Sequence, residues 1–284
     1  MKTPYPQMEG KTVLITGATS GIGLQTALQL APLRPRIVFT YRDEVKKEQT
    51  FRLLEKVLPS SQIIPMFCRM DSLASVRDFA NTLVREHDRL HVLINNAGLW
   101  RTRREVSTDG IELTWAVNHL APFLLTHLLL PLIKQSSPAR IINVSSEAHR
   151  NAKLDFEDPE CRRSFPMMKA YAQSKLANLL FTLKLAGDLK GSGVTVNALH
   201  PGVVNTPIFS PMNPLMLALF KPFTISPARG AATSVYLSAS ADATAYTGSY
   251  FKKCKAVRPA ASALNRADAE KLWLLSRKYL EPFL

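Results

Sequence analysis

The chain has 284 residues, a formal charge of +14 at neutral pH and three cysteines. That length can bury a large core, and no Gly/Ser linker, charged spacer, repeat or low-complexity tract divides it, so one α/β domain over residues 1–284 is expected. The basic residues are scattered, with no reading module and no aromatic-interleaved stripe, and Cys68, Cys161 and Cys254 stand far apart, so the sequence argues against nucleic-acid binding, a disulfide framework and a zinc site.

The N-terminal stretch MKTPYPQMEGK has no apolar run. The longest apolar stretches, around Phe123–Ile133 and Pro214–Phe220, fall short of the roughly 20 residues a spanning helix requires. The expectation is a cytoplasmic protein, soluble or peripheral to a membrane, without signal peptide or transmembrane segment. The positive field suits an anionic ligand and a peripheral contact with an anionic membrane.

The first predicted strand, Thr12–Thr16, ends at Gly17 and passes through Gly21 and Gly23 into a predicted helix, Ile22–Leu30. Glycines are required where a chain must turn tightly and approach a pyrophosphate, and a helix N-terminus offers it free N–H groups. The spacing T-G-x-x-x-G-x-G differs from G-x-G-x-x-G, and a glycine turn can also be purely structural. Further strands are predicted at Arg36–Tyr41, Gln62–Arg69, His91–Asn95, Arg140–Ser145, Val194–His200 and Ser249–Phe251. Helices are predicted at Glu44–Val57, Leu73–Glu86, Gly110–Ile133, Met168–Leu189 and Pro227–Ser238, with a C-terminal helical extension near 265–280. This alternation predicts a doubly wound Rossmann-type α/β fold, a parallel sheet with helices on both faces and ligands beyond the carboxyl ends of its strands.

After the second strand the chain reads Tyr41-Arg42-Asp43. If Arg42 lies over the adenosine ribose, its guanidinium pairs with a 2′-phosphate and NADP is preferred. If Asp43 takes that place, NAD is. In KAYAQSKLANLL, Tyr171 and Lys175 are four residues apart and project from one helix face. A phenol has a reference pKa of about 10, and a nearby ammonium favours its ionised form. The pair reads as a proton donor with its tuner, although the same spacing recurs on ordinary solvated helices.

Thr16-Gly17 to Gly23, Asn95-Asn96-Ala97-Gly98, Ser146, Tyr171, Lys175 and Pro201-Gly202 fall in order between about Gly10 and Tyr250, and together they resemble the short-chain dehydrogenase/reductase family. VNHLAPFLLTHLLLPLI, INVSSEAH, YAQSKLANLLFT and HPGVVNT are most similar to its retinol dehydrogenase and WW-domain oxidoreductase branch. The resemblance implies a seven-stranded parallel sheet of order 3-2-1-4-5-6-7. It implies a nicotinamide cofactor held by Gly17, Ser20, Gly21, Ile22, Gly23, Arg42, Asp71, Asn95, Ala97, Gly98, Tyr171, Lys175, Pro201, Gly202, Val204 and Thr206, with NADP favoured over NAD because a basic residue at Arg42 accompanies NADP in this branch. Asp71 would bond the adenine amino group, and Thr206 the nicotinamide carboxamide. Asn118, Ser146, Tyr171 and Lys175 would be catalytic. Ser146, rather than Ser145, would bond the substrate oxygen; Asn118 would kink its helix and hold a water that links Lys175 to solvent. Many animal retinol dehydrogenases carry an N-terminal anchor that is not seen here.

Two segments suit a substrate side, 147–166 and 203–226, the first carrying Leu154, Phe156, Phe165 and Met167 and the second Ile208, Phe209, Met212, Leu215, Met216, Leu219, Phe220 and Phe223. They suggest an apolar pocket, with Leu99 and Trp100 beside it, for an apolar aldehyde or ketone and the matching alcohol, retinal-like or lipid-derived. The second segment reads equally as a helix packed on the core or a dimer contact. The alternative function on this fold is a cofactor-binding sensor or interaction protein. His149 lacks the G-x-S-x-G context of a hydrolase triad, and the six histidines show no metal-ligand spacing, so all read as structural. Family members pair as homodimers or homotetramers through helices that correspond to Met168–Leu189 and Pro227–Ser238, though apolar faces there also suit the core.

Overall fold

Val13, Leu14 and Ile15 are wholly buried, and their side chains divide between two hydrophobic cores, Leu14 on one face of the sheet and Val13 and Ile15 on the other. This is the pattern of a central parallel strand covered on both sides. The computed structural model describes residues 5–204 and 224–284. Within them run β1 (Thr12–Ile15), β2 (Arg36–Tyr41), β3 (Ile63–Phe67), β4 (Val92–Asn95), β5 (Ala139–Val144), β6 (Val194–His200), β7 (Tyr250–Lys252) and β8 (Lys255–Val257). The order is β3-β2-β1-β4-β5-β6-β7-β8. The first seven strands are parallel in the order expected, and β8 is an added antiparallel edge paired to β7. Its three residues, between Lys253-Cys254 and Arg258-Pro259, carry too little periodicity to announce such a strand.

The helices are α1 (Gly21–Leu30), α2 (Glu44–Glu55), α3 (Leu73–Glu86), α4 (Leu113–Gln135), α5 (Met167–Asp188), α6 (Pro227–Ala239) and α7 (Arg266–Leu280). One core lies against α3, α4, α5 and α7, the other against α1, α2 and α6. The reversal of strand order between β1 and β4 opens a crevice beyond the carboxyl ends of these strands.

One expectation needs correction. At 23 residues, α4 is long and apolar enough to cross a membrane, whereas the sequence reading put every apolar stretch below that length; 78% of its most apolar window is buried, as in a core helix. The helix is also not regular. Ala116–Leu120 form a π-helical turn, and Pro122 has no N–H to give the Asn118 carbonyl its normal i+4 bond. The apolar faces of α5 belong to the chain's own core, since every residue from Ala172 to Thr182 is buried.

The C-terminal helix docks on α4 and α5. Trp273 stacks on Phe181 and meets Phe123 at 4.7 Å between ring centroids. Ser276 Oγ lies 2.7 Å from His119 Nε2, beside Asn118 in the π-turn, and the Tyr279 hydroxyl donates to Glu160 at 2.9 Å. The extension thereby reaches both the Asn118 turn and the 147–166 segment.

Candidate active site

The turn after β1 is stitched to the end of β4 through main-chain groups. Thr16 Oγ1 accepts from the amides of Asn96 and Ala97 at 3.0 Å each, and Asn96 Nδ2 donates to the carbonyls of Thr16 and Gly17 at 2.8 and 3.3 Å. The Gly17 amide donates to Thr40 Oγ1 at 3.0 Å. Gly17 has a φ of +66°, and a Cβ there would lie 3.0 Å from the Ala97 Cα. At Gly23 a Cβ would run into the Gly17 carbonyl and the Asn96 amide. At the start of α1 the Ser20 hydroxyl makes no capping bond, and no acidic residue occupies the first turn. The helix N-terminus is left with its N–H groups and positive dipole end facing the crevice. A glycine cradle before an uncapped helix fits a dinucleotide pyrophosphate, and Ile22 seats the same helix against α6 near Gly230. Thr40 was not singled out from the sequence, and Thr16 and Asn96 were named there only as members of their motifs, without a role of their own.

At the end of β2, Arg42 is exposed and makes no hydrogen bond or salt bridge among the described residues, and its positive field helps lower the Asp71 pKa. Asp43 is engaged differently. It is the N-cap of α2, and its carboxylate accepts from the Lys46 amide at 3.0 Å. Asp71 forms a two-bond pair with Arg69 at 3.2 Å, which outweighs burial and holds its carboxyl below the usual range. Asn95 ends β4 with its side chain turned inward. Its amide is buried and donates to Thr126 Oγ1 and Asn143 Oδ1 at 2.9 and 2.8 Å, so its side chain joins β4, α4 and β5 beneath the crevice.

Asn118, Ser146, Tyr171 and Lys175 converge beyond β4 and β5. A Cβ at Gly98 would lie 3.3 Å from both Asn118 Oδ1 and Lys175 Nζ, so that glycine lets the chain pass over the pair. The Asn118 amide accepts from the Leu99 N–H at 2.8 Å and donates to the Leu99 carbonyl and Ser174 Oγ at 2.9 and 3.0 Å. The π-turn agrees with the expected kink, while the side chain itself is committed to Leu99 and Ser174. Ser145 is buried and donates to the Lys175 carbonyl at 2.8 Å, which leaves Ser146 as the hydroxyl beside Tyr171. Lys175 Nζ donates to the Val144 carbonyl at 3.1 Å and sits 5.6 Å from the centre of the Tyr171 ring.

The electrostatics differ from the expectation that Lys175 lowers the phenol. Burial pushes Tyr171 up to about 12, opposed by its hydrogen bond to Ser146. Burial also pushes Lys175 down to about 8. With no counter-charge beside it, desolvation destabilises the charged form of each group. The phenol is protonated at neutral pH, as an unburied one would also be, and burial makes it the weaker acid.

Gly202 has a φ of +100°, and a Cβ there would clash with Ile225 Cδ1 at 2.6 Å. Pro201 precedes it at the end of β6, and Val204 is buried and pairs with Ile225. Thr206 and the apolar run 208–223 lie outside the described residues. In the 147–166 segment Leu154 is buried and Phe156 lies under Lys271 of α7 at 4.5 Å; Trp100, after Gly98 and Leu99, is only 5% exposed. Among the described residues no cluster of His, Cys, Asp or Glu could hold a metal.

Comparison with known proteins points the same way. The profile described as short chain dehydrogenase matches residues 11–215. Mouse retinol dehydrogenase 12 is 41% identical over 98% of this chain and 89% of its own length. Human retinol dehydrogenase 13 is 40% identical over 95% and 84%. Among solved structures, the Pseudomonas aeruginosa RhlG/NADP active-site complex superposes with a TM-score of 0.72 and 25% identity, over 88% of this chain and 97% of that one.

Proposed function

We propose, from the premise that this chain belongs to the short-chain dehydrogenases and is an oxidoreductase acting on CH–OH and C=O groups, that it is an NADP-dependent reductase of apolar aldehydes or ketones, retinal-like or lipid-derived, working through Tyr171. The observation that carries this reading is the convergence of Ser146, Tyr171 and Lys175.

Ser146 and Tyr171 are the two hydroxyl donors available to a substrate oxygen. As that oxygen gains negative charge, bonds to it strengthen, so the two donors stabilise the transition state more than the ground state. Tyr171 then gives up its proton. Its raised pKa keeps it protonated but makes it a weaker acid, so release of the proton depends on the negative charge left on the phenol being met by Lys175, whose own burial cost falls once that charge appears. The Gly17 to Gly23 turn, the open N-terminus of α1, Gly98 and Gly202 would hold the cofactor, which supplies the hydride when bound.

The preference for NADP is supported by the division of labour between Arg42 and Asp43. Asp43 spends its carboxylate on the α2 cap, while Arg42 is exposed and, among the described residues, has no ion pair to break before meeting a 2′-phosphate. The identity of the similar retinol dehydrogenases supports the apolar substrate class, as do the apolar residues of 208–223 in the sequence.

The test follows absorbance of NADPH, and separately NADH, with nonanal and all-trans-retinal. Turnover with NADPH at a clear advantage over NADH is expected. A preference for NADH would refute the Arg42 reading, and cofactor binding without turnover of either aldehyde would favour a sensor.

A further inference from the structure

Three residues after Ser146 stands a histidine that the chemistry above does not use. His149 has no exposed surface, and both of its ring nitrogens meet main-chain groups. Nδ1 lies 2.7 Å from the Ser146 carbonyl oxygen, and Nε2 lies 3.1 Å from the amide nitrogen of Ala260. An amide N–H can only donate and a carbonyl can only accept. Nε2 must therefore present its lone pair to Ala260, and Nδ1 must carry the proton that goes to Ser146. The two bonds select one neutral tautomer. A second proton on Nε2 would point at the Ala260 N–H, so the imidazolium is disfavoured by geometry as well as by burial, which lowers its pKa against the opposing bond to Ser146.

The surroundings hold the ring still. Tyr250 of β7 packs against it edge-on at 5.0 Å. The adjoining Glu147 accepts from the Tyr250 hydroxyl at 2.7 Å and from Lys252 and Arg150 at 3.1 Å each, and its amide donates to His200 Nδ1 at 3.3 Å. With both nitrogens occupied and no surface exposed, His149 has no proton to exchange with a substrate.

We infer that His149 is a positioning residue for the reaction: as an Nδ1–H imidazole it grips the Ser146 carbonyl from behind and so fixes the direction of the Ser146 hydroxyl. This rests on the role proposed above for Ser146. The Ser146 Oγ accepts from the Ala148 amide at 3.2 Å, which leaves its proton free to be donated, and the direction of that hydroxyl follows its peptide, whose carbonyl accepts from the His149 main-chain N–H at 3.2 Å and from its ring at 2.7 Å. Displacement of such a group by about an ångström can cost on the order of a hundredfold in rate.

The experiment has two independent arms. Nitrogen-15 NMR of the wild-type ring should show the proton on Nδ1 and a neutral imidazole at pH 7; a proton on Nε2 or a charged ring overturns the inference. Kinetics with NADPH and nonanal then compare His149→Ala, His149→Asn and His149→Gln. Asparagine can place an N–H where Nδ1 was, whereas glutamine reaches the Nε2 position. His149→Ala should lower kcat roughly tenfold to a hundredfold with KM and NADPH affinity changed less than about threefold, His149→Asn should restore most of it, and His149→Gln should not. A His149→Ala protein with kcat within about twofold of wild type, or rescue by glutamine and not by asparagine, refutes the role. Ser146→Ala separates the two claims, because full activity there would sink the site assignment itself, while an inactive Ser146→Ala beside a fully active His149→Ala sinks only the inference.

Discussion

The glycine turn at 16–23 and the segment 147–166 each follow the carboxyl end of a strand, β1 and β5, yet they are held in different ways. Around the turn the contacts are small and largely main-chain: Thr16 and Thr40 hydroxyls, the Asn96 amide, and places where no Cβ fits. The later segment depends on charged side chains from distant parts of the chain. Glu160 is 2% exposed and accepts from the Glu112 amide at 3.0 Å, from Arg104 at 3.3 Å, from Arg162 at 2.7 Å and from Tyr279 of α7 at 2.9 Å. Asp155 pairs with Lys169 at 3.0 Å, and Asp158 caps the amides of Arg162 and Arg163. A backbone cradle tolerates few residue types and so marks the sequence strongly. A charged clamp can be built from many pairs, and its partners are chosen by the fold.

Substitutions should therefore separate the two regions. The largest effect is expected at Gly23→Ala, where the new Cβ meets the Gly17 carbonyl and the Asn96 amide. NADPH affinity measured by fluorescence titration should fall at least about a hundredfold, since overpacking against a backbone carbonyl lies at or beyond the upper end of the usual cost of ~1–3 kcal/mol. Unaltered affinity would show that the turn can yield. Next comes Glu160→Ala, which leaves the Glu112 amide, the Tyr279 hydroxyl and Arg104 without their shared acceptor. A loss of ~2–4 kcal/mol in denaturant unfolding is expected, with NADPH affinity nearly unchanged. Equal damage to cofactor binding would erase the distinction between the regions.

Arg42→Ala is a sharper and smaller probe of the cofactor side. Removal of a charge-assisted bond worth about 1.5–3 kcal/mol should weaken NADPH binding roughly tenfold to a hundredfold and leave NADH unaffected. Parallel changes for both cofactors would place Arg42 away from the ribose. The smallest effect is a slope. Lys175 has its pKa depressed by burial from the ordinary 10.5 to about 8, so above pH 8 the unfolded chain binds the extra proton and stability rises with pH toward 10.5. Tyr171, raised from 10.0 to about 12, reverses that trend only above pH 10. Between pH 8 and 10 the Tm of cofactor-free wild type should therefore gain on that of Lys175→Met. A constant difference would mean that Lys175 is not desolvated.

The same contrast explains what could be read beforehand. The strands Arg36–Tyr41 and Val194–His200 and the helix Leu73–Glu86 match their predicted bounds, because apolar periodicity and caps such as Ser72 are local signals. The turn glycines and the Tyr171/Lys175 pair were legible for the same reason. Asn95 was not, because whether its amide faces a crevice or the core depends on Thr126 and Asn143, far along the chain. The docking of α7 through Trp273, Ser276 and Tyr279 was equally hidden, as its partners Phe123, His119 and Glu160 lie more than a hundred residues away. The direction of the Tyr171 pKa also needed the fold, since spacing places an ammonium near a phenol but says nothing of the water excluded from both.

The account stands most directly on Tyr171→Phe, assayed for NADPH consumption with nonanal beside a titration of NADPH binding. The phenyl ring keeps the packing and removes the proton donor. Turnover should fall by about a hundredfold or more while NADPH binding is retained, as expected for a general acid. A mutant whose turnover stays within about tenfold of wild type would contradict the assignment of the proton to Tyr171.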